Sequence, residues 1–266
     1  MSPFSEHTGF HFAVKNLTFG YVNQFPVSAG HVLIVPKREV ATVFELTEPE
    51  LTEHFATAKE LKPLLDRHYK PDGYTIGWNV GTAGGQSVVH SHLHIIPRYE
   101  EDNRSKDVKP FGGLAQLPLS FSPNQFFYEN KKGMVSDRDL VESLADQQDV
   151  FIPKFPVTPG HILIWPPDAR GDFFSLRNDE LIHQIRRAKD HLDHTDADGA
   201  TLGWDVGESA GQMFDRPYLQ LLPRFIGDTD SPRGGIVQIV RTNDPYYDQK
   251  NQGRRISPSK PVALRF

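Results

Sequence analysis

The 266-residue chain has no cysteine, which excludes disulfides, thiol nucleophiles and thiolate metal sites. No apolar run approaches the roughly 20 residues a membrane helix needs, so no membrane partner is expected. Basic residues are not in surplus. The formal net charge is −5, which argues against duplex nucleic acid as a partner. The opening residues MSPFSEHTGF have neither a cationic start nor an apolar core, so no secretory signal is read there and a cytoplasmic setting is expected. No Asp or Glu lies between Trp78 and Tyr99.

That carboxylate-free stretch contains three alternating histidines, His90, His92 and His94, in the run GGQSVVHSHLHIIPRY of residues 84–99. On a β-strand, alternate residues share a face, so the imidazoles would line up about 7 Å apart. Three readings are open: a metal site, a nucleophile with helpers, or the polar face of a solvated strand. A zinc site usually sets its histidines with carboxylates behind them, and none is near. Just upstream, GTAGGQS (residues 81–87) has three glycines, including Gly85, that let backbone N–H groups approach an anion. Gln86 and Ser87 add side-chain donors. A donor-rich loop running into histidines looks like an anion cradle beside a nucleophile, with a phosphate as the electrophile. The HLDHTDAD stretch of residues 191–198 also mixes histidine and acid, but reads as a solvated helix end.

Residues 17–98 resemble the histidine triad (HIT) superfamily of nucleotide hydrolases and transferases. The likeness extends past the triad to TFGYVNQFPVSAGHVLIVPKR (residues 18–38) and to Asn79, eleven residues before His90. The Ile-Pro-Arg ending is nearest the fragile-histidine-triad, diadenosine polyphosphate hydrolase branch. The resemblance implies that His92 attacks an α-phosphorus to give a nucleotidyl-histidine that water cleaves. It implies that His94 contacts α-phosphate oxygens, and that His90 orients the nucleophile and assists the leaving group. Gln86, Ser87 and Gly85 would bind phosphate, Asn79 would hold their loop, and Asn23 matches the ribose-binding position. No metal site or resident cofactor is implied, although a divalent ion could enter with the substrate. His31 and Arg98 stay open between structural and functional roles.

The chain also repeats itself. FPVSAGHVLIVP (25–36) recurs as FPVTPGHILIWP (155–166), identical at eight of twelve positions. GYTIGWNVG (73–81) recurs as GATLGWDVG (199–207), identical at six of nine. The triad run recurs as GQMFDRPYLQLLPRF (211–225), where Arg216, Tyr218 and Gln220 replace the histidines and Met213 replaces Ser87. Asn79 becomes Asp205 and Asn23 becomes Pro153, while Gln86, His31 and Arg98 persist as Gln212, His161 and Arg224. A tyrosine, with a reference pKa of about 10, is a poor nucleophile near neutrality. The second copy therefore reads as a scaffold.

The expected fold is α+β: a catalytic HIT domain at 1–110 and a degenerate HIT-like domain at 123–266. Each would be an antiparallel sheet with packed helices, and the two would form an intramolecular pseudo-dimer in a monomeric chain. Strands are expected at 17–22, 31–35, 74–80 and 88–96, and near Ile162, Thr201 and Leu219. Helices are expected at 48–69, kinked or broken by Pro63, and at 178–194, with a linker at 100–122. The favoured activity is hydrolysis of a diadenosine polyphosphate or nucleoside phosphoramidate. A nucleotidyltransferase or phosphorylase, which the tandem arrangement favours, and a nucleotide-binding regulator are the alternatives.

Overall fold

A computed structural model of the chain describes residues 2–6, 8–99, 141–143, 148–153, 156–166, 169–212, 214–229 and 235–237. The expected linker at 100–122 lies outside them. The first half runs α1 (Pro3–Glu6), β1 (His11–Phe12), β2 (Thr18–Val22), β3 (Val32–Pro36), α2 (Glu48–Tyr69), β4 (Gly73–Val80) and β5 (Leu93–Arg98). Then follow β6 (Val141–Ser143), β7 (Val150–Pro153), β8 (Ile162–Ile164), α3 (Asn178–Leu192), β9 (Gly199–Val206) and β10 (Leu219–Arg224). The strands form one ten-stranded antiparallel sheet in the order β1-β2-β3-β5-β4-β9-β10-β8-β7-β6.

The centre of that sheet is the pairing of β4 with β9. Its register sets Thr75 opposite Asp205, Gly77 opposite Gly203 and Asn79 opposite Thr201. Gly77 thus faces its own counterpart in the repeat, and the other pairs are exchanged symmetrically about it. The two glycines are in close approach: a Cβ on Gly203 would stand 2.1 Å from the Ile76 carbonyl oxygen and 2.6 Å from the Gly77 Cα. Only a residue without a side chain fits there.

One sheet face carries both long helices. Thr47 and Glu50 close a capping box at the start of α2, with Glu50 Oε2 accepting the Thr47 N–H at 2.7 Å. Left-handed Lys70 follows its last turn. The helix runs unbroken through Pro63. Packing on the sheet holds this stretch of helix, because Leu61 and Leu65 on either side of the proline are buried. From α2, Leu51, Phe55, Ala58, Leu61 and Leu65 enter the core, and from α3, Leu181, Ile182, Ile185 and Ala188. They meet Trp78 and Trp204, whose rings stand 6.2 Å apart, in a single core spanning both halves. Strand alternation sends Val32, Ile34, Leu93 and Ile95 into that core, and Leu33 and Val35 into a smaller cluster with Phe4, Phe19 and Tyr21 on the other face.

One further expectation is corrected. The triad strand was expected at 88–96, but β5 begins at Leu93, so His90 and His92 precede it and only His94 lies on it. The Pro36 carbonyl at the end of β3 accepts from His90 Nε2 at 2.9 Å. The short strands β1, β6 and β7 were not foreseen.

Candidate active site

The polar face of the sheet, opposite the helices, holds the histidines. All three are buried, His92 being the most accessible at 7 %. His92 and His94 have ring centroids 4.8 Å apart, closer than successive positions along one strand face would give. The bend before β5 is the reason.

Hydrogen-bond partners assign the tautomers. His92 Nδ1 lies 2.7 Å from the His90 carbonyl oxygen, which can only accept, so Nδ1 carries the proton and Nε2 keeps its lone pair. Burial lowers the His92 pKa to about 4, partly offset by that bond. The imidazole is therefore neutral near pH 7. His31 Nδ1 accepts from the Val27 N–H at 3.4 Å, a long bond that leaves the His31 proton on Nε2. From there it donates to His94 Nδ1 at 3.1 Å. His94 must then carry its own proton on Nε2, a buried atom with no partner among the described residues. Burial, with His92 and His31 beside it, holds His94 well below the ordinary histidine pKa. The result is a lone pair on His92 and an unspent N–H donor on His94.

Phe4 was not singled out by the sequence. Its ring packs edge-on to His92 at 5.1 Å, against His90 at 5.8 Å and on Tyr21 at 5.1 Å. The Ser2 N–H to Glu39 Oε1 at 2.9 Å and His11 Nε2 to the Phe4 carbonyl oxygen at 2.7 Å hold this segment down. An aromatic 88 residues before His92 carries no local signal.

The other expected residues divide. Gln86 does not point its carboxamide freely at a ligand. Its Nε2 donates to the Ala41 and Val88 carbonyls at 2.7 and 3.0 Å, and its Oε1 accepts the Gly81 N–H at 3.0 Å. Gln212 repeats the arrangement on Gly207 and Phe214 at 2.7 and 2.9 Å, so this glutamine clamps the loop in both halves. Gly85 sits in that loop with φ +85°, and Ser87 is exposed. Asn79 Oδ1 accepts the Ile236 N–H at 2.9 Å. Asn23 turns its Oδ1 to the Phe25 N–H at 3.0 Å and sets its amide 3.2 Å from His31 Nδ1. Among the described residues no group of three or more His, Asp or Glu is arranged to hold a metal ion.

The matching region of the second half is filled by its own side chains. Trp165 stacks on Phe151 at 3.9 Å, lies 5.7 Å from Phe214, and has the Arg216 guanidinium over it at 5.8 Å. Tyr218, at the position of His92, is buried beside them, 5.4 Å from Phe214.

Part of the chain is similar to known proteins. The HIT domain profile matches residues 5–101. A bis(5'-adenosyl)-triphosphatase of Dictyostelium discoideum is 40% identical over 96 residues, covering 36% of this chain and 64% of that protein. A bis(5'-nucleosyl)-tetraphosphatase (asymmetrical) of Schizosaccharomyces pombe is 34% identical over 138 residues, covering 50% of this chain and 75% of that one. The crystal structure of the C. elegans NitFhit protein is 38% identical with a TM-score of 0.33, over 34% of this chain and 22% of that one. The chain thus spans less than two thirds of the Dictyostelium relative's length. It belongs to the HIT family, in the fragile-histidine-triad branch.

Proposed function

We propose that the protein hydrolyses dinucleoside polyphosphates through a nucleotidyl-histidine on His92. The observation that carries this reading is the 2.7 Å bond from His92 Nδ1 to the His90 carbonyl, which leaves the Nε2 lone pair on a neutral, desolvated ring. Nε2 attacks the α-phosphorus, an N–P bond forms, and the bond to the bridging oxygen breaks so that the remaining nucleotide leaves. Water then attacks the same phosphorus, the N–P bond breaks and returns its electron pair to Nε2, His92 departs neutral with its Nδ1 proton, and the water's proton passes to solvent. The His94 Nε2–H donates to a non-bridging oxygen as charge builds there. His90 acts through its carbonyl, because its own Nε2–H is held by Pro36. The Gln86 clamp shapes the Gly85–Ser87 loop around the phosphates, and Asn23, braced against His31, takes the ribose. The relatives' names, a triphosphatase and a tetraphosphatase, support the substrate class.

We also infer that residues 1–110 form the catalytic unit and 123–266 a degenerate one, and that their β4–β9 seam takes the place of a dimer interface within a single chain. The symmetric register about Gly77 and Gly203 supports this. The aromatic filling around Tyr218 supports one nucleotide site per chain.

The test is turnover of diadenosine tri- and tetraphosphate, with the intermediate trapped and located by mass spectrometry. A nucleotide on His92, and no turnover by His92→Asn with binding retained, is the expected result. A label elsewhere, or His92→Asn within tenfold of wild type, overturns the assignment. Adding inorganic phosphate separates the phosphorylase alternative: a nucleoside diphosphate released in place of the monophosphate would favour it.

A further inference from the structure

On the polar face of the sheet, beside the active-site strand, a line of hydrogen bonds crosses from one half to the other. Arg98 on β5 is buried, and its Nη1–H donates to Thr75 Oγ1 on β4 at 2.8 Å. The Thr75 hydroxyl donates to Asp205 Oδ1 on β9 at 3.1 Å. Asp205 Oδ2 accepts from Gln220 Nε2 on β10 at 2.8 Å. Gln220 in turn faces His161, just before β8. Gln220 occupies in the second half the place His94 occupies in the first, and His161 the place of His31. Polar side chains of the degenerate site thus form a path that ends on the strand bearing His94. Every member is buried, and such a network specifies one arrangement strongly when its members are paired.

We propose that Asp205 is a positioning residue for the first half's active-site strand, contributed across the seam by the half that has lost the histidines. It acts through Thr75, which is paired with Ile96 of β5 and lies two residues before Gly77, the partner of His94. As a carboxylate, Asp205 accepts from both Thr75 and Gln220. The Gln220 N–H already occupies Oδ2, so a bound proton goes to Oδ1, which then donates toward Thr75, and the Thr75 hydroxyl must reorient. Protonation therefore changes how Thr75 is held against β9, and through the Arg98–Thr75 bond it reaches β5 near His94. Among the described residues, the charged or titratable groups facing Asp205 are Arg98 from β5 and, behind Gln220 of β10, His161 next to β8. Burial lowers His161 to about 3, so it stays neutral. Burial pushes Asp205 itself up to about 7, against the opposing pull of Arg98, Thr75 and Gln220. A carboxyl raised in the folded state adds stability that is fully present below the ordinary carboxylate range. That stability is lost as pH rises through about 7.

The proposal rests on the reading of His92 and His94 as the active site, and its main readout does not need turnover. The nitrogen resonances of the His94 imidazole are followed by NMR from about pH 6 to 8 in the full chain, with thermal unfolding over the same range. In the wild type, the His94 signals should shift through this window, although His94 does not itself titrate there. The wild-type Tm should fall with rising pH relative to Asp205→Asn. In Asp205→Asn both steps should vanish. Thr75→Val keeps the carboxyl and removes the hydroxyl link, so the Tm step should remain and the His94 step should go. In turnover, Asp205→Asn should lower kcat about tenfold at unchanged KM, short of the hundredfold that an ångström of misplacement can cost. It should also remove an inflection near neutral pH. His94 signals that stay flat in the wild type, or that shift equally in Thr75→Val, overturn the proposal. Absence of polyphosphate turnover with the His94 step intact would instead overturn the proposed function and leave Asp205 coupled to His94.

Discussion

His31 and His94 meet ring to ring, with Nε2 of the first 3.1 Å from Nδ1 of the second and their centroids 5.3 Å apart. The chain separates them by 63 residues, and the pairing of β3 with β5 brings them together. This bond keeps the His94 proton on the nitrogen that faces away from His31. His31→Ala should free both tautomers and lower kcat up to about a hundredfold, with KM little changed. His31→Gln, which can still donate to Nδ1, should recover part of the loss. Equal activity in wild type and His31→Ala would remove His31 from this role.

Phe4 shields His92 from water and so helps hold its pKa near 4. Phe4→Ala should let the His92 pKa rise toward the ordinary histidine value of about 6.5. The protonated ring cannot attack, so the acid limb of the kcat/KM profile should move to higher pH. A profile whose acid limb stays in place would show that other groups bury His92.

His54 and Gln184 occupy matching places on the two helices and solve the same problem unequally. Gln184 accepts from Trp204 Nε1 at 3.0 Å and donates to the Ile164 carbonyl at 2.7 Å. His54 spends its Nδ1–H on the Glu50 carbonyl at 2.7 Å. That leaves its own Nε2 and Trp78 Nε1 without partners among the described residues. His54→Gln should copy the second half's solution and stabilise the protein by about 1 kcal/mol. Differential scanning calorimetry would read this as a Tm gain of roughly 2–4 °C. A lower Tm would mean that the histidine fits its site better than the glutamine can.

The glycine pair at the seam should be intolerant of side chains. A Cβ at Gly203 would overlap the Ile76 carbonyl, and one at Gly77 would sit 2.3 Å from the Leu202 carbonyl oxygen. Gly203→Ala should cost about 3 kcal/mol through forced separation of β4 and β9. The Tm should fall by roughly 6–12 °C. A Tm within a degree of wild type would show that the seam can open without penalty.

The period-two and helical patterns placed β2, β3, β4 and both long helices to within a residue or two. In those stretches local hydrophobic alternation and burial agree. Two expectations failed where tertiary contacts outweighed local rules. Pro63 did not break α2, because the buried turns on either side hold it on the sheet. The histidine run did not form one strand, because the Pro36 carbonyl, 54 residues away, draws His90 out of the ladder.

The sequence by itself displayed the histidine run, the donor-rich loop and the internal repeat. Alternating histidines, a glycine-rich loop and an internal repeat are local or self-referential features that read directly along the chain. Only the tertiary structure decided which nitrogen of His92 and of His94 holds a proton, that Gln86 clamps its loop, that Phe4 packs on His92, and that Asp205 reaches Thr75 from β9. Those facts depend on which carbonyl, ring or hydroxyl arrives from a distant strand. Protonation and burial are set by the partners within about 3 Å and by the water they exclude, and no spacing along the chain records them.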